Sequence, residues 1–504
     1  MDVGISQAIF LVACSLLYLF FGKKLLTHSV MVVNNNIDIK SLSAQRKPRL
    51  RYLYRNICAI ILTLVALAMF LVIWCTFVTT NNHTGYLLGI GNIALSSILY
   101  ILLFAINGKF LRAFKIGVER ITKQIASIIL TVCITDFIEI ILSVTILNNF
   151  RYIFDFVWRY AFLAFCQSCV LSLFVVIMVD FYCKLVTPLP VVMIYGVHDN
   201  DIARKISAIP QKYHVEMSIR YDDPSLDLDA LIDNCTSILV NDVPAQVENS
   251  IIKKCFEKDK RVYVVPKLAD IILKTADSIN VVDTPLYLNR NLGMSFGQRF
   301  LKRAVDIVFS GLAVIVLSPV FLITALAIKI EDKGPVFFKQ ERVTKDGKHF
   351  MILKFRSMIV DAEKDGRTHP AGEKDDRITK VGNIIRACRI DELPQLLNIL
   401  SGDMSIVGPR PERYEHVEIY TKDIPEFKYR EKVKGGLTGY AQVYGKYNTT
   451  AIDKLKLDLM YITNYSILLD FQIMFETVKI LFQKESTEGF DSERAKEMHD
   501  ADCK

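Results

Sequence analysis

Residues 306–330 read DIVFSGLAVIVLSPVFLITALAIKI. The run is apolar and long enough to cross a bilayer core, which takes roughly 20 residues of helix. Ser318-Pro319 interrupts it near its middle. Proline removes a backbone donor and breaks or kinks a helix. Two readings follow, and they place the rest of the chain on opposite sides of a membrane. A straight crossing carries everything after residue 330 to the far side. A broken helix that enters and turns back leaves it on the near side, with the freed backbone groups satisfied by Ser318 or by packed protein. A buried, kinked helix of a soluble domain fits the periodicity equally well.

Upstream, five apolar runs, roughly 5–22, 57–78, 86–107, 124–147 and 156–182, are long enough or nearly so to span. The loop after the first carries Lys23, Lys24, Lys40, Arg46, Lys47, Arg49, Arg51 and Arg55, the loop at 79–85 has no Lys or Arg, and the next carries Lys109, Arg112, Lys115, Arg120 and Lys123. The positive-inside rule then puts the N-terminus outside and everything after about residue 183 in the cytosol. The first run lacks a basic leading region and a small-x-small cleavage site, so it reads as an uncleaved span. Asn82-His83-Thr84 has the form of a glycosylation sequon, but its loop is too short to leave the bilayer surface. Asp136 and Glu139 fall inside the fourth run. Charge there is costly and commonly functional; pairing with Arg151 or Arg159 near a membrane face is the plainer reading.

Composition agrees with a membrane protein. Of 504 residues, 52% are hydrophobic and 23% charged, and the mean hydropathy is +0.30. Disorder, which needs low hydrophobicity and high net charge, is excluded. So is collagen, since the 23 glycines have no period. A net charge of +8 suits an anionic membrane surface or phosphorylated substrates, not a dedicated nucleic-acid binder. Eleven cysteines and eight histidines are scattered, and no zinc site is expected. Cys166 and Cys169 have CxxC spacing inside an apolar run, where they read as packing filler or as redox or metal chemistry.

Residues 188–290 change character. Strands at 191–195, 237–240 and 261–265 alternate with helices at 199–209 and 247–258, which predicts a parallel sheet. A dinucleotide-binding turn would show GxGxxG after the first strand. Gly196 stands alone there, followed by Val-His-Asp-Asn, so a Rossmann-like shell without a bound dinucleotide is expected.

The chemistry-bearing residues lie beyond 331. Gly334-Pro335 leads to Gln340-Glu341-Arg342 and Lys354-Phe355-Arg356, cations beside short strands that can hold phosphate oxygens or simply face solvent. Arg386 precedes Asp391-Glu392-Leu393-Pro394, and the spacing of Leu393, Leu396, Leu397 and Leu400 is helical. Asp391 is either the N-cap of that helix or one of two acids with divided tasks, one attacking phosphorus and the other holding Mg²⁺. Gly408-Pro409-Arg410-Pro411 forms a rigid turn that presents Arg410. Lys434 to Tyr440 is a Gly-rich loop able to offer backbone N–H groups to an anion. Residues 461–483 read as one amphipathic helix, in the core or on the membrane.

These motifs together resemble the bacterial sugar transferases that prime polysaccharide synthesis, the polyprenyl-phosphate hexose-1-phosphate transferases. The likeness runs from about Phe300 to Phe482 and is carried by Lys302-Arg303, Asp306, Ser318-Pro319, Gly334-Pro335, Gln340-Glu341-Arg342, Lys354-Phe355-Arg356, the ordered run from Asp391 to Pro411, and Leu437-Thr438-Gly439. The upstream part resembles the large membrane form of the family, in which four spans are usual; the first run is an apparent extra, and Gly435 stands where proline is usual.

The resemblance implies a membrane protein with an N-terminal transmembrane helix bundle (1–187), a Rossmann-like α/β cytosolic domain (188–290), a re-entrant membrane helix broken at Ser318-Pro319 (300–330), a helix-rich α+β catalytic domain (331–484) and a polar tail (485–504). It implies transfer of a sugar-1-phosphate from a UDP-sugar to undecaprenyl phosphate, releasing UMP, at the cytosolic face of the bacterial inner membrane. Asp391 would be the nucleophile, forming an aspartyl-phosphosugar intermediate, and Glu392 would hold Mg²⁺. Arg386, Arg410, Lys354, Arg356 and Arg342 would contact phosphate. The lipid bilayer is an expected partner, nucleic acid is not, and a homodimer stays open because no residue pattern encodes it. No motif names the sugar. The rival reading is a channel or transporter with a cytosolic Rossmann-type regulatory domain. It accounts for the first 290 residues and leaves the acidic pair unused, and no TVGYG-type filter is present. A catalytically dead scaffold is the third reading; intact Asp391, Glu392 and Arg410 argue against it.

Overall fold

The computed structural model describes residues 48–81, 90–147, 153–186, 188–196, 202–207, 209–210, 212–224, 227–289, 293–360, 377–445 and 449–481. The expected first span, the sequon at 82–84, Arg151 and the polar tail lie outside them. The chain forms two compact units, Met1–Val265 and Pro266–Lys504.

Among its described residues the first unit opens with four long helices: α1 (Pro48–Asn81), α2 (Ile90–Phe110), α3 (Ile121–Leu147) and α4 (Ile153–Leu185). Each holds a stretch long and apolar enough to cross a membrane, with mean hydropathy from 1.8 to 2.9. They fit a membrane bundle. α1 begins nine residues before its apolar run, because Pro48 is tolerated in a helix's first turn and the basic turn after it continues the helix. Aromatic rings join the helices: Phe70 stacks on Tyr100 with centroids 4.3 Å apart, and Phe104 stacks on Tyr100 at 6.1 Å. The outward faces carry Leu64, Ile98, Phe137 and Ile177, all exposed, as lipid-facing positions require.

An α/β region follows. Strands β1 (Leu189–Tyr195), β2 (Tyr213–Arg220), β3 (Ser237–Asn241) and β4 (Arg261–Val264) form one sheet in the order β2-β1-β3-β4, and every pairing is parallel. Helices α5 (Ile202–Ser207), α6 (Leu228–Asn234) and α7 (Ala245–Glu257) connect them. The expected parallel sheet is present, with two elements the sequence reading lacked. β2 is an edge strand that is only partly buried, and α6 is a short helix capped by Asp227, whose side chain accepts from the N–H groups of Asp229 and Ala230. Gly196 has a packing reason: a Cβ there would collide with the Asp242 carbonyl.

The second unit begins with α8 (Leu268–Leu273) and the hairpin β5 (Asp277–Val281)–β6 (Thr284–Leu288). Helices α9 (Phe296–Val316) and α10 (Ser318–Asp332) are bent by 60° at Leu317. Pro319 lies in the first turn of α10, and the Ser318 hydroxyl donates to the Ile315 carbonyl at 2.7 Å, satisfying a group the break sets free. α9 is built inside out. Its buried face is polar, with Lys302, Asp306 and Ser310 one turn apart. Its outer face exposes Phe300, Val308, Leu312 and Ile315, and α10 exposes Leu322, Ile323 and Ile330.

The remainder is α+β: the antiparallel pair β7 (Phe337–Val343)–β8 (His349–Phe355), helices α11 (Lys380–Ala387) and α12 (Gln395–Ser401), a short parallel pair β9 (Ser405–Val407)–β10 (Gly436–Thr438), and helices α13 (Tyr414–Asp423), α14 (Tyr440–Tyr444), α15 (Ala451–Thr463) and α16 (Ile467–Leu481). The single helix expected over 461–483 is two. The helix ends at Asn464, and Ser466 restarts it by accepting from the Leu469 N–H. Serine competes for backbone groups and favours a cap over a helix interior.

Candidate active site

Two buried anchors fix the floor of the site. Lys302 on α9 lies 2.7 Å from the Asp470 carboxylate and donates to the Val407 carbonyl. Asp306, one turn on, accepts from the Ile406 N–H at 2.9 Å and the Ser405 hydroxyl at 3.0 Å. Arg303 caps the C-terminus of α12 through the carbonyls of Ile399 and Leu400. The polar face of α9 is therefore spent on holding β9 and α12, the elements that flank the acidic pair.

The pair itself sits on a turn. Arg389 adopts a left-handed conformation (φ 55°), a single 3₁₀ turn spans Ile390–Glu392, and α12 starts after Pro394. Asp391 is not the cap of α12, which has none from a side chain. Its neighbour is clamped: Glu392 Oε1 accepts from Lys354 Nζ at 2.8 Å and from Arg410 at 2.6 Å. Lys354 comes from β8, and Arg410 from the turn after β9 that Lys302 and Asp306 anchor.

Burial opposes the Glu392 charge, but Arg410 and Lys354 outweigh it and hold the carboxyl well below its usual range. Asp391 is pushed the other way, by burial and by the Glu392 charge, against the pull of Lys354, Arg386 and Arg410. Among the described residues Asp391 has no ion-pair or hydrogen-bond partner, and it is only half-buried. Adjacent acids thus have opposite environments, an anion locked by cations beside a carboxylate with no such clamp and raised basicity.

The other expected site residues divide. Arg386, on α11, is half-buried and near enough to act on Asp391. Arg342 donates to Gln340 at 2.6 Å and to the Pro411 carbonyl, and burial with Arg410 nearby pushes it down to about 10. Arg356 stands apart: it is buried, pairs with Asp332 at 3.1 Å, and fills the space beside Gly334. Its geometry is that of a structural cation. The Gly-rich loop differs from its expected role as an anion cradle. Gly436 N–H donates to the Pro409 carbonyl and Gly435 N–H to the Thr344 hydroxyl, and a Cβ at Gly436 or Gly439 would strike Gly408. These glycines let two backbones touch, so the loop buttresses the Arg410 turn.

A network not foreseen from the sequence supports the same turn. Arg430 lies 2.6 Å from Asp458 and donates to the Arg410 carbonyl at 3.0 Å, while Lys454 holds Glu412 at 2.9 Å. The readable signal was Asp458 on the apolar face of α15, between Leu455 and Leu459, both buried. Among the described residues no three His, Cys, Asp or Glu side chains group as metal ligands.

The family model for bacterial sugar transferases matches residues 297–484, the stretch that carries this site. Over 185 residues, 36% of this chain and 44% of the relative, the sequence is 44% identical to the UDP-N-acetylgalactosamine-undecaprenyl-phosphate N-acetylgalactosaminephosphotransferase of Aeromonas hydrophila. It is 42% identical over 186 residues, 36% of this chain and 69% of the relative, to the UDP-glucose:undecaprenyl-phosphate glucose-1-phosphate transferase of Caulobacter vibrioides. It is 41% identical over 186 residues, 35% of this chain and 93% of the relative, to the exopolysaccharide production protein PSS of Rhizobium leguminosarum bv. phaseoli. The match spans less than half the length of the Aeromonas relative. The chain belongs to the bacterial sugar transferases.

Proposed function

We propose that the protein is a membrane enzyme that moves a sugar-1-phosphate from a UDP-sugar to undecaprenyl phosphate, the first committed step of a polysaccharide. The observation that carries this reading is the divided acid pair: Glu392 bound at 2.6–2.8 Å by Arg410 and Lys354, with Asp391 beside it unpaired. A poorly solvated carboxylate flanked by cations is suited to attack phosphorus. In the first step an Asp391 oxygen bonds to the β-phosphorus, the bond from that phosphorus to the bridging oxygen breaks, and UMP leaves with the electron pair. In the second, a phosphate oxygen of undecaprenyl phosphate attacks the same phosphorus and the Asp391 carboxylate departs. Arg386 and Arg410 are placed to offset charge on the transferring group.

Mg²⁺ fits this donor set. Glu392 Oε1 is used twice, but Oε2 has only a 3.4 Å contact with Arg410. One carboxylate edge plus substrate phosphate and water is a common Mg²⁺ environment. Bound there, the ion would neutralise diphosphate charge and ease UMP departure.

The 60° break and the apolar outer faces of α9 and α10 support a re-entrant pair that dips into the cytosolic leaflet. Such an arrangement would bring the site to a lipid head group. The parallel β2-β1-β3-β4 sheet supports a Rossmann-like shell, and the lone Gly196 argues against a dinucleotide there. The test is UMP release by the detergent-solubilised protein from a panel of UDP-sugars with undecaprenyl phosphate and Mg²⁺. Release from one donor, absent with EDTA and in Asp391→Asn, is expected. No release from any donor by folded protein would remove the reading.

A further inference from the structure

A second acid pair lies inside the helix bundle of the first unit. Asp136 and Glu139, three residues apart on α3, are 2% and 1% exposed. At about 1.5 Å per residue, Asp136 lies roughly 22 Å from the start of α3 and 16 Å from its end, deep in the span. The groups that face the pair are Tyr100 from α2, Tyr160 from α4 and Cys133 on α3 itself. Arg159 is exposed.

The donors around the pair are used. Gln167 Nε2 donates to the Ala66 carbonyl and to the Tyr100 hydroxyl, both at 2.9 Å, and that hydroxyl donates to Asp136 Oδ1 at 3.5 Å. Trp74 Nε1 donates to Ser143, which is bonded to Tyr160 at 2.8 Å. Among the described residues, what is left is a surplus of acceptors: Asp136 Oδ2, Glu139 Oε1 and Gln167 Oε1 are buried without a donor. Gln167 is fully buried and belongs to the same chain of bonds. Leaving a buried carboxylate uncompensated is strongly unfavourable; a buried water could supply the missing donors, but only a proton or a cation also offsets the negative charge.

We propose that Asp136, Glu139 and Gln167 form a cation site within the helix bundle, occupied by a small monovalent cation, either a proton or sodium. The test is infrared difference spectroscopy of the full-length protein in lipid nanodiscs, in choline chloride against sodium chloride at fixed pH and ionic strength. In sodium-free buffer the carbonyl band of a protonated carboxyl is expected, lost in the double variant Asp136→Asn/Glu139→Gln. Sodium that removes the band in a saturable way identifies sodium as the occupant; a band indifferent to sodium identifies the proton. Absence of both the band and any sodium response in the wild type overturns the site. If the double variant fails to fold, the single isosteres each remove part of the band. Trp74 fluorescence in a Trp158→Phe background supplies a second reading, because Trp74 is bonded into the network and these are the chain's two tryptophans.

Discussion

The molecule contains two acid pairs that differ in what surrounds them. Asp391 and Glu392 stand among Lys354, Arg386 and Arg410, and among the described residues one acid is locked while the other has no hydrogen-bond or ion-pair partner. Asp136 and Glu139 stand among tyrosines, a glutamine and a tryptophan, and among the described residues oxygens of both lack a donor. Residue type is the same in each. The difference teaches that neighbours assign the task, because a carboxylate's charge, basicity and reach all follow from who compensates it.

The largest effect expected is at Asp391. Asp391→Asn keeps shape and removes the nucleophile, so UMP release should fall by at least about 10³-fold, the scale of losing a covalent catalyst. The same variant should raise Tm at pH 7. Asp391 has a folded pKa above its unfolded one, so its favourable contribution exists at low pH and is lost as pH rises. Lost activity with an unchanged or lower Tm would mean that Asp391 is not the frustrated member of the pair.

Next is the support of the Arg410 turn. Arg430→Met strands the Asp458 carboxylate, whose side chain is 1% exposed. Removing one partner of a buried pair costs about 3–5 kcal/mol, read as a drop in Tm or denaturant midpoint. The double variant Arg430→Met/Asp458→Leu should recover most of it. No recovery would show that Arg430 acts through the Arg410 carbonyl instead.

Acid stability tests the support of the Arg410 turn in a second way. Burial opposes ionisation of Glu412, but Lys454 and Arg430 bring it down to about 2. A depressed carboxyl stabilises the fold above its unfolded pKa, and this is lost as pH falls through the folded value. The wild type should therefore keep its Glu412 contribution from pH 7 to about 4.5 and lose it towards pH 2. Lys454→Met should move the acid-unfolding midpoint upward. A midpoint that does not move would deny the Lys454–Glu412 coupling.

How much of this was legible depends on the range of the interaction. The helices of the bundle were readable because lipid imposes one long apolar period, and β1 and β3 because continuous burial leaves an unbroken Val/Ile/Leu run. β2 was missed because an edge strand half in water, Tyr213 to Arg220, keeps no such run. The Asp391–Pro411 motif announced the site through its order. Its partners did not: Arg430, Asp458 and Lys454 reach the Arg410 turn across 20 to 48 residues of chain, and nothing local marks them. The Gly-rich loop was misread because glycine serves both anion binding and close backbone approach, and only the neighbouring Gly408 tells them apart.

The smallest effect expected tests that last point. Gly435 occupies a position where the resembling family usually carries proline, and here its N–H donates to the Thr344 hydroxyl at 3.0 Å. Gly435→Pro deletes that donor and brings a Cβ within 3.0 Å of the Pro411 side chain. Thr344 keeps its bond to the Asp403 carbonyl, so one acceptor contact is lost and not a buried group's only partner. The cost should be about 1 kcal/mol, the net worth of an ordinary hydrogen bond, offset in part by a stiffer unfolded chain. In a Thr344→Val background the proline should cost less, since its partner is already gone. An equal cost in both backgrounds would place the whole effect on the Pro411 contact, and the glycine would then be kept for space and not for its N–H.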